Sequence, residues 1–158
     1  MTAPASTRPQ GRTWAITTTN GFTASGYLPA WAEEDPSKTG VAPQRLHIEL
    51  SDVTHETSFG GQFIRICSDG ENPGQDSPVL IAHMQCSPHA DDDPEPRVPV
   101  VSIQILDDTW IMNLGESVLV EMAEKFHDFA DLLLNKVAPE LSTARADWAA
   151  HHPERAES

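Results

Sequence analysis

The stretch RVPVVSIQILDDTWIMNLGESVLVEMAEKFHDFADLLLNKV, residues 97–137, contains the point at which the apolar pattern changes period. Val98 to Leu106 runs apolar, Asp107-Asp108 breaks the run, and Thr109 to Leu114 resumes it, which predicts a hairpin packed centrally with Trp110 in the core. From Glu116 the spacing is different. Leu119, Met122, Phe126, Phe129 and Leu133 recur at alternating intervals of three and four, the stripe of an amphipathic helix reaching about Val137. Pro139 interrupts it, and Leu141, Ala144, Arg145 and Trp148 predict a short second helix or a kinked continuation, with proline tolerated in its first turn. Strands followed by helix make the fold class α+β: an antiparallel sheet of hairpins, then a long amphipathic helix covering one sheet face, then a short terminal helix.

Upstream of this stretch the same logic finds further strands. Thr13 to Thr19 and Thr23 to Leu28 flank Asn20-Gly21, a dipeptide suited to a two-residue turn in which both residues take positive φ. Pro29 to Pro43 has no period and reads as a long loop carrying Trp31. Arg45 to Leu50 alternates, with Leu46, Ile48 and Leu50 on one face, and is predicted as a half-buried strand. Phe63 to Cys67 and Val79 to Cys86 are two more strands, joined by the polar stretch Asp69 to Gly74. Ser87 to Pro96, with three prolines and four acids, is a loop because proline has no donor for a ladder. Residues 1–12 and 151–158 are polar and bury nothing, so they are expected to be disordered tails around one domain at 13–150.

Four strings of this chain look familiar: GYLPAWAEEDPSKTGV (Gly26 to Val41), RLHIELSDVTH (Arg45 to His55), RVPVVSIQILDDTWIM (Arg97 to Met112) and ARADWAAHH (Ala144 to His152). Over residues 13–152 the chain resembles a family of short acidic proteins, a domain of unknown function, from high-GC Gram-positive bacteria. In other branches of that family a Pro-x-Trp motif is followed by cysteine, with a histidine near enough to suggest a metal site. Here Pro29-Ala30-Trp31 is followed by Ala32, so the resemblance implies a shared fold and no transferable site. It implies no activity either.

Charge narrows the function classes. The 158 residues include 24 Asp and Glu against 10 Lys and Arg, a formal charge of −14. Such a surface repels phosphate backbones and anionic lipid, so nucleic-acid and electrostatic membrane binding are disfavoured, while a basic or small cationic partner is attracted. Without an apolar run of spanning length or an apolar leader in Met1 to Arg12, the chain reads as cytoplasmic. Its two cysteines, Cys67 and Cys86, are then reduced, and each is best read as a small buried hydrophobe.

Candidate chemistry is thin. His83, Cys86 and His89 sit at intervals of three and offer soft zinc ligands, but His83 and Cys86 are an odd number apart on a predicted strand and so point to opposite faces. Neither a nucleophile elbow nor a glycine-rich phosphate cradle occurs, and no cofactor is expected. The adjacent His127 and Asp128 lie on a helix, where neighbours do not face each other. The longest aperiodic segments remain: the loop with Trp31, Glu33, Glu34 and Asp35, and the loop with Asp91, Asp92 and Asp93. Together they point to a nonenzymatic interaction or regulatory module that meets a basic protein at an acidic loop surface. The alternatives are a small metal-dependent or hydrolytic enzyme whose polar groups converge on folding, and an acidic mimic of nucleic acid. Apolar residues off the main stripe, Val118, Val120, Leu132 and Leu134, suggest a homodimer.

Overall fold

The computed structural model describes residues 12–66, 74–91 and 96–151. Cys67, Asp92, Asp93 and most of both proposed tails lie outside the described residues. The described chain divides into two units, one ending at Leu114 and the other beginning at Gly115. The architecture is α+β, with antiparallel sheets followed by a long C-terminal helical segment.

The first unit opens with β1 (Arg12–Thr18) and β2 (Thr23–Leu28), paired antiparallel as their alternation demands. Trp14, Ile16 and Thr18 are buried while Thr13 and the residues between them are not, which is the period of a strand covered on one face. The turn differs from the expected one. Gly21 takes φ +88° but Asn20 is not left-handed, and the Gly21 amide donates to the Thr18 carbonyl at 3.0 Å. Thr19-Asn20-Gly21 is thus a three-residue loop in which glycine alone supplies the positive φ. A third strand, β3 (Lys38–Val41), pairs parallel with β1. It lies inside the segment read as a featureless loop.

Arg45 to Leu50 is not a strand. Pro43–Arg45 is a 3₁₀ turn with proline in its first turn, and α1 (Leu46–Ser51) follows directly. The alternation misleads because Leu46 and Leu50 are also four apart, hence on one helical face. They pack on the core of Trp14, Ile16, Leu28, Ala32 and Val53, while Ile48 is left 50 % exposed.

A four-stranded sheet follows, in the order β4 (His55–Phe59), β7 (Ile81–Cys86), β8 (Val100–Leu106), β9 (Thr109–Leu114). β5 (Gln62–Ile66) and β6 (Gln75–Val79) form a separate hairpin. The run from Val79 to Cys86 is therefore two strands rather than one. Leu80 takes φ +57° between them, a left-handed residue that turns the chain out of one sheet and into the other. The β8–β9 hairpin forms as expected, but β9 is an edge strand, so Trp110 is 40 % exposed and not a core residue.

The second unit runs as α2 (Glu116–Leu132), a π turn at Leu133–Val137 and α3 (Ala138–His151). It is a continuation through the proline rather than a separate short helix. Pro139 has no N–H to give the carbonyl four residues back, and the wider π winding falls just upstream of that missing bond. No residue of this segment is buried, and Phe126 and Phe129 are 41 % and 57 % exposed. Taken by itself the segment buries none of its apolar stripe, because one helix cannot cover its own apolar face. Among the described residues no helix is long and apolar enough to cross a membrane.

Candidate functional site

The two loops singled out by their lack of period line one cavity of about 390 Å³, Pro29 and Trp31 from the first and Pro88 and His89 from the second. Trp14 forms its inner wall. The indole lies across β2 at Gly26, its cross-strand partner, and a Cβ there would sit 2.5 Å from Trp14 Cζ2, so only glycine admits the ring. Past the end of β2 a tight turn, closed by the Ala32 amide donating to the Pro29 carbonyl at 3.2 Å, brings Trp31 edge-on to His55 (centroids 6.4 Å, 90°). His55 begins β4 and pairs with Cys86 at the end of β7. The chain then turns, with Ser87 holding the Pro96 carbonyl through its amide and meeting Thr54 through its hydroxyl, and sets His89 edge-on to Trp14 (5.7 Å, 80°).

The cavity is largely apolar, and burial shifts two of its polar groups, His55 and Cys86, toward their uncharged forms. His55 is 2 % exposed with Nδ1 lacking a hydrogen-bond partner. Burial pushes its pKa below the ordinary histidine value, hydrogen bonding at the Tyr27 backbone pulls the other way, and His89 adds a little to the lowering. Cys86 is buried and free, and burial raises its thiol pKa. A nucleophilic thiol needs the opposite shift, so the His55–Cys86 pair lacks the electrostatics of a catalytic dyad.

The suggested metal set is not brought together. Cys86 and His89 both line the cavity, but His83 is on the other face of β7, where its Nδ1 meets Ser58 Oγ at 2.9 Å and its ring tilts against Trp110. His83 Nε2 is buried without a partner, so no carboxylate orients the Ser58–His83 pair as a triad requires. Among the described residues no group of three or more His, Cys, Asp or Glu is placed to hold a metal ion.

The acidic residues prove less free than their sequence suggests. Glu33 accepts from Thr57 Oγ1 at 2.7 Å and from the Ser58 amide at 3.0 Å, and these bonds hold its carboxyl below the ordinary range while clamping the loop to β4. Asp35 accepts from the Ser37 hydroxyl and amide, a local Asx turn that lowers its pKa likewise. Asp91 lies 3.2 Å from His47. Glu34 and Asp35 line a second hollow of about 420 Å³ with Asp52, Glu56 and Lys38, the last paired with Glu49. His55 and Glu56, successive residues of β4, serve the apolar and acidic hollows respectively, as strand alternation directs.

Trp31 and the two loops stand out in the sequence, and His55 stands there with His47 and His83 among the histidines whose convergence would favour an enzyme; of these three only His55 lines the cavity, while Trp14 and Gly26 carry no site signal in the sequence. The long-range register of β4 on β7 joins His55 to Cys86, and no local pattern announces it. Trp31 both packs against the core and lines the cavity, combining a pinning and a presenting role. Comparison with curated proteins and with solved structures gives no match. Residues 14–143 do match a family profile, and they include the core, the cavity and most of the helical segment: the chain belongs to the DUF6907 family of domains of unknown function.

Proposed function

We propose that the protein is a nonenzymatic interaction module that takes an apolar or weakly polar group of a basic partner into the cavity beneath Trp31. The observation that carries this reading is the convergence of Pro29 and Trp31 with Pro88 and His89 on one aromatic, half-open hollow. The acidic hollow of Glu34, Asp35, Asp52 and Glu56 supports a partner of positive charge, as does the net charge of −14. The setting we propose is a bacterial cytoplasm, where the free Cys86 stays reduced.

The test compares wild type with Trp31→Ala and with Glu34→Gln/Asp52→Asn, first by pull-down from the native cell and then by direct titration of basic peptides bearing one apolar anchor. Loss of the anchor pocket should weaken binding roughly tenfold or more, as truncation of a buried aromatic contact does. Loss of the carboxylates should slow association and flatten its salt dependence. Binding unchanged in both folded variants would overturn the reading.

A second reading concerns assembly. Leu134 is 71 % exposed and Val120 56 %, and the helical stripe buries no residue, so we propose that a second copy of the chain covers this helix. Light scattering at micromolar concentration should give twice the 17.3 kDa chain mass, and a monomer mass would remove the proposal.

A further inference from the structure

We propose that the outer edge of β2 receives an extended segment of the basic partner as an added antiparallel strand, bonded main chain to main chain at Thr23 and Ser25. This rests on the reading above and deepens it, because β2 ends at the cavity, whose wall includes Gly26 and Tyr27. The register decides which groups β2 offers. The Thr18 amide donates to the Phe22 carbonyl at 2.8 Å, so the alternate pairs, Ile16 with Ala24 and Trp14 with Gly26, turn their N–H and C=O groups toward each other. In the intervening pairs, Thr17 with Thr23 and Ala15 with Ser25, those groups point away from the partner strand. The β1 side shows the same direction, for the Ala15 amide donates to Ser37 Oγ at 3.0 Å. On β2 they face outward. Thr23 and Ser25 are exposed, and no described residue hydrogen-bonds their outward main-chain groups. Tyr27, the next in that series, meets the His55 ring through its backbone, which ends the open stretch at the cavity.

The other edges of the two larger sheets are filled or irregular. At β4 the Glu33 amide donates to the Glu56 carbonyl at 3.0 Å and the Glu33 carboxylate accepts from the Ser58 amide at 3.0 Å, so a loop already occupies that edge. β3 has four residues, a register shift against β1 and Gly40 at φ +71°. β9 has two register shifts and a left-handed Asn113. β2 has none of the features that blunt an edge, since its ladder to β1 is unshifted and TASGYL contains neither proline nor charge. Composition also selects the occupant. The strand has no Lys or Arg to repel a cationic segment, and the chain's net −14 attracts one. Side chains of an added strand alternate as those of β2 do, one set beside Ala24 and Gly26 on the face of Trp14 and the cavity, the other beside the exposed Thr23 and Ser25. The segment that fits therefore alternates apolar and basic residues.

The experiment titrates the full chain with an acetylated peptide amide of alternating valine and lysine, followed by tryptophan fluorescence and by nitrogen-15 amide exchange. With the peptide at about ten times its Kd, exchange at Thr23 and Ser25 should slow about tenfold. Ser25→Pro removes an outward donor and no bond to β1, so the chain keeps its fold and should bind the peptide at least about tenfold more weakly. Ser25→Ala keeps the donor and should stay within about twofold of wild type. In an antiparallel strand the residues opposite Thr23 and Ser25 turn their amides toward β2, and in this peptide they are the lysines. N-methylation of the lysine amides should therefore abolish binding, while N-methylation of the valine amides should change it by less than about threefold. A peptide that binds with exchange at Thr23 and Ser25 unaltered, or that tolerates methylation of either set, overturns the added strand and leaves the cavity reading standing. Exchange at both amides that slows with protein concentration alone gives the edge to a second copy and overturns it as well. Failure of this peptide where singly anchored basic peptides bind overturns the added strand alone, whereas failure of both on the folded chain ends the interaction reading itself.

Discussion

His55 shows how one side chain couples stability to pH. Its folded pKa lies below the unfolded value, because burial beside Cys86 and the Trp31 ring disfavours the charged form. Between those two pKa values the unfolded chain binds more protons, so stability falls as pH drops from about 6.5, the ordinary histidine pKa, toward the folded value. One such group sets a limiting slope of about 1.4 kcal/mol per pH unit. Urea unfolding of wild type and His55→Gln at pH 7.5, 6.0 and 5.0 should show a steeper acid loss in wild type, and parallel curves would contradict the assignment. Trp14 tests the inner wall directly. It is 1 % exposed and its indole occupies the space that Gly26 leaves open, so Trp14→Ala should cost about 3 to 5 kcal/mol in the same assay. A cost under about 1 kcal/mol would mean that the ring is not core.

At the scale of elements, the helical segment invites two measurements. Pro139 follows the π turn at Leu133–Val137, and the proline ring together with its missing donor accounts for the interruption of the regular ladder. Pro139→Ala should therefore let the four-residue bond form and raise local helix stability, by up to about 3 kcal/mol, read as slower amide exchange at residues 135–143. Unchanged exchange would place the origin of the π turn elsewhere. Leu134→Glu, at an exposed position of the same turn, should leave the circular dichroism of the chain unaltered while halving the mass seen by light scattering, if a second copy covers the stripe.

For the molecule as a whole, charge is the quantity that acts at a distance. A net −14 on 158 residues gives a field that accelerates encounter with a basic partner and is screened within about 8 Å at physiological salt. Raising ionic strength from about 0.05 to 0.5 M should lower the association rate with a basic peptide while changing dissociation little, since the charges steer and the cavity holds. A dissociation rate that rises in step with salt would instead place the bound contact in the carboxylates.

Local periodicity by itself determined the hairpin of β1 and β2, the hairpin of β8 and β9, and the switch to helix at Glu116, because each rests on side-chain spacing within a dozen residues. It also marked the two aperiodic loops as the place to look for function. It misjudged Arg45 to Leu50, where Leu46 and Leu50 satisfy a strand and a helix equally and only the core beneath them chooses the helix. It misplaced Trp110, because whether a strand lies in the middle or at the edge of a sheet depends on partners far along the chain. The cavity belongs wholly to the tertiary structure. Trp14, Trp31, His55 and His89 become neighbours only because β4 pairs with β7 and the rings Trp31–His55 and Trp14–His89 meet between segments far apart along the chain, a register set by the collective burial of the sheet faces, which no local spacing encodes.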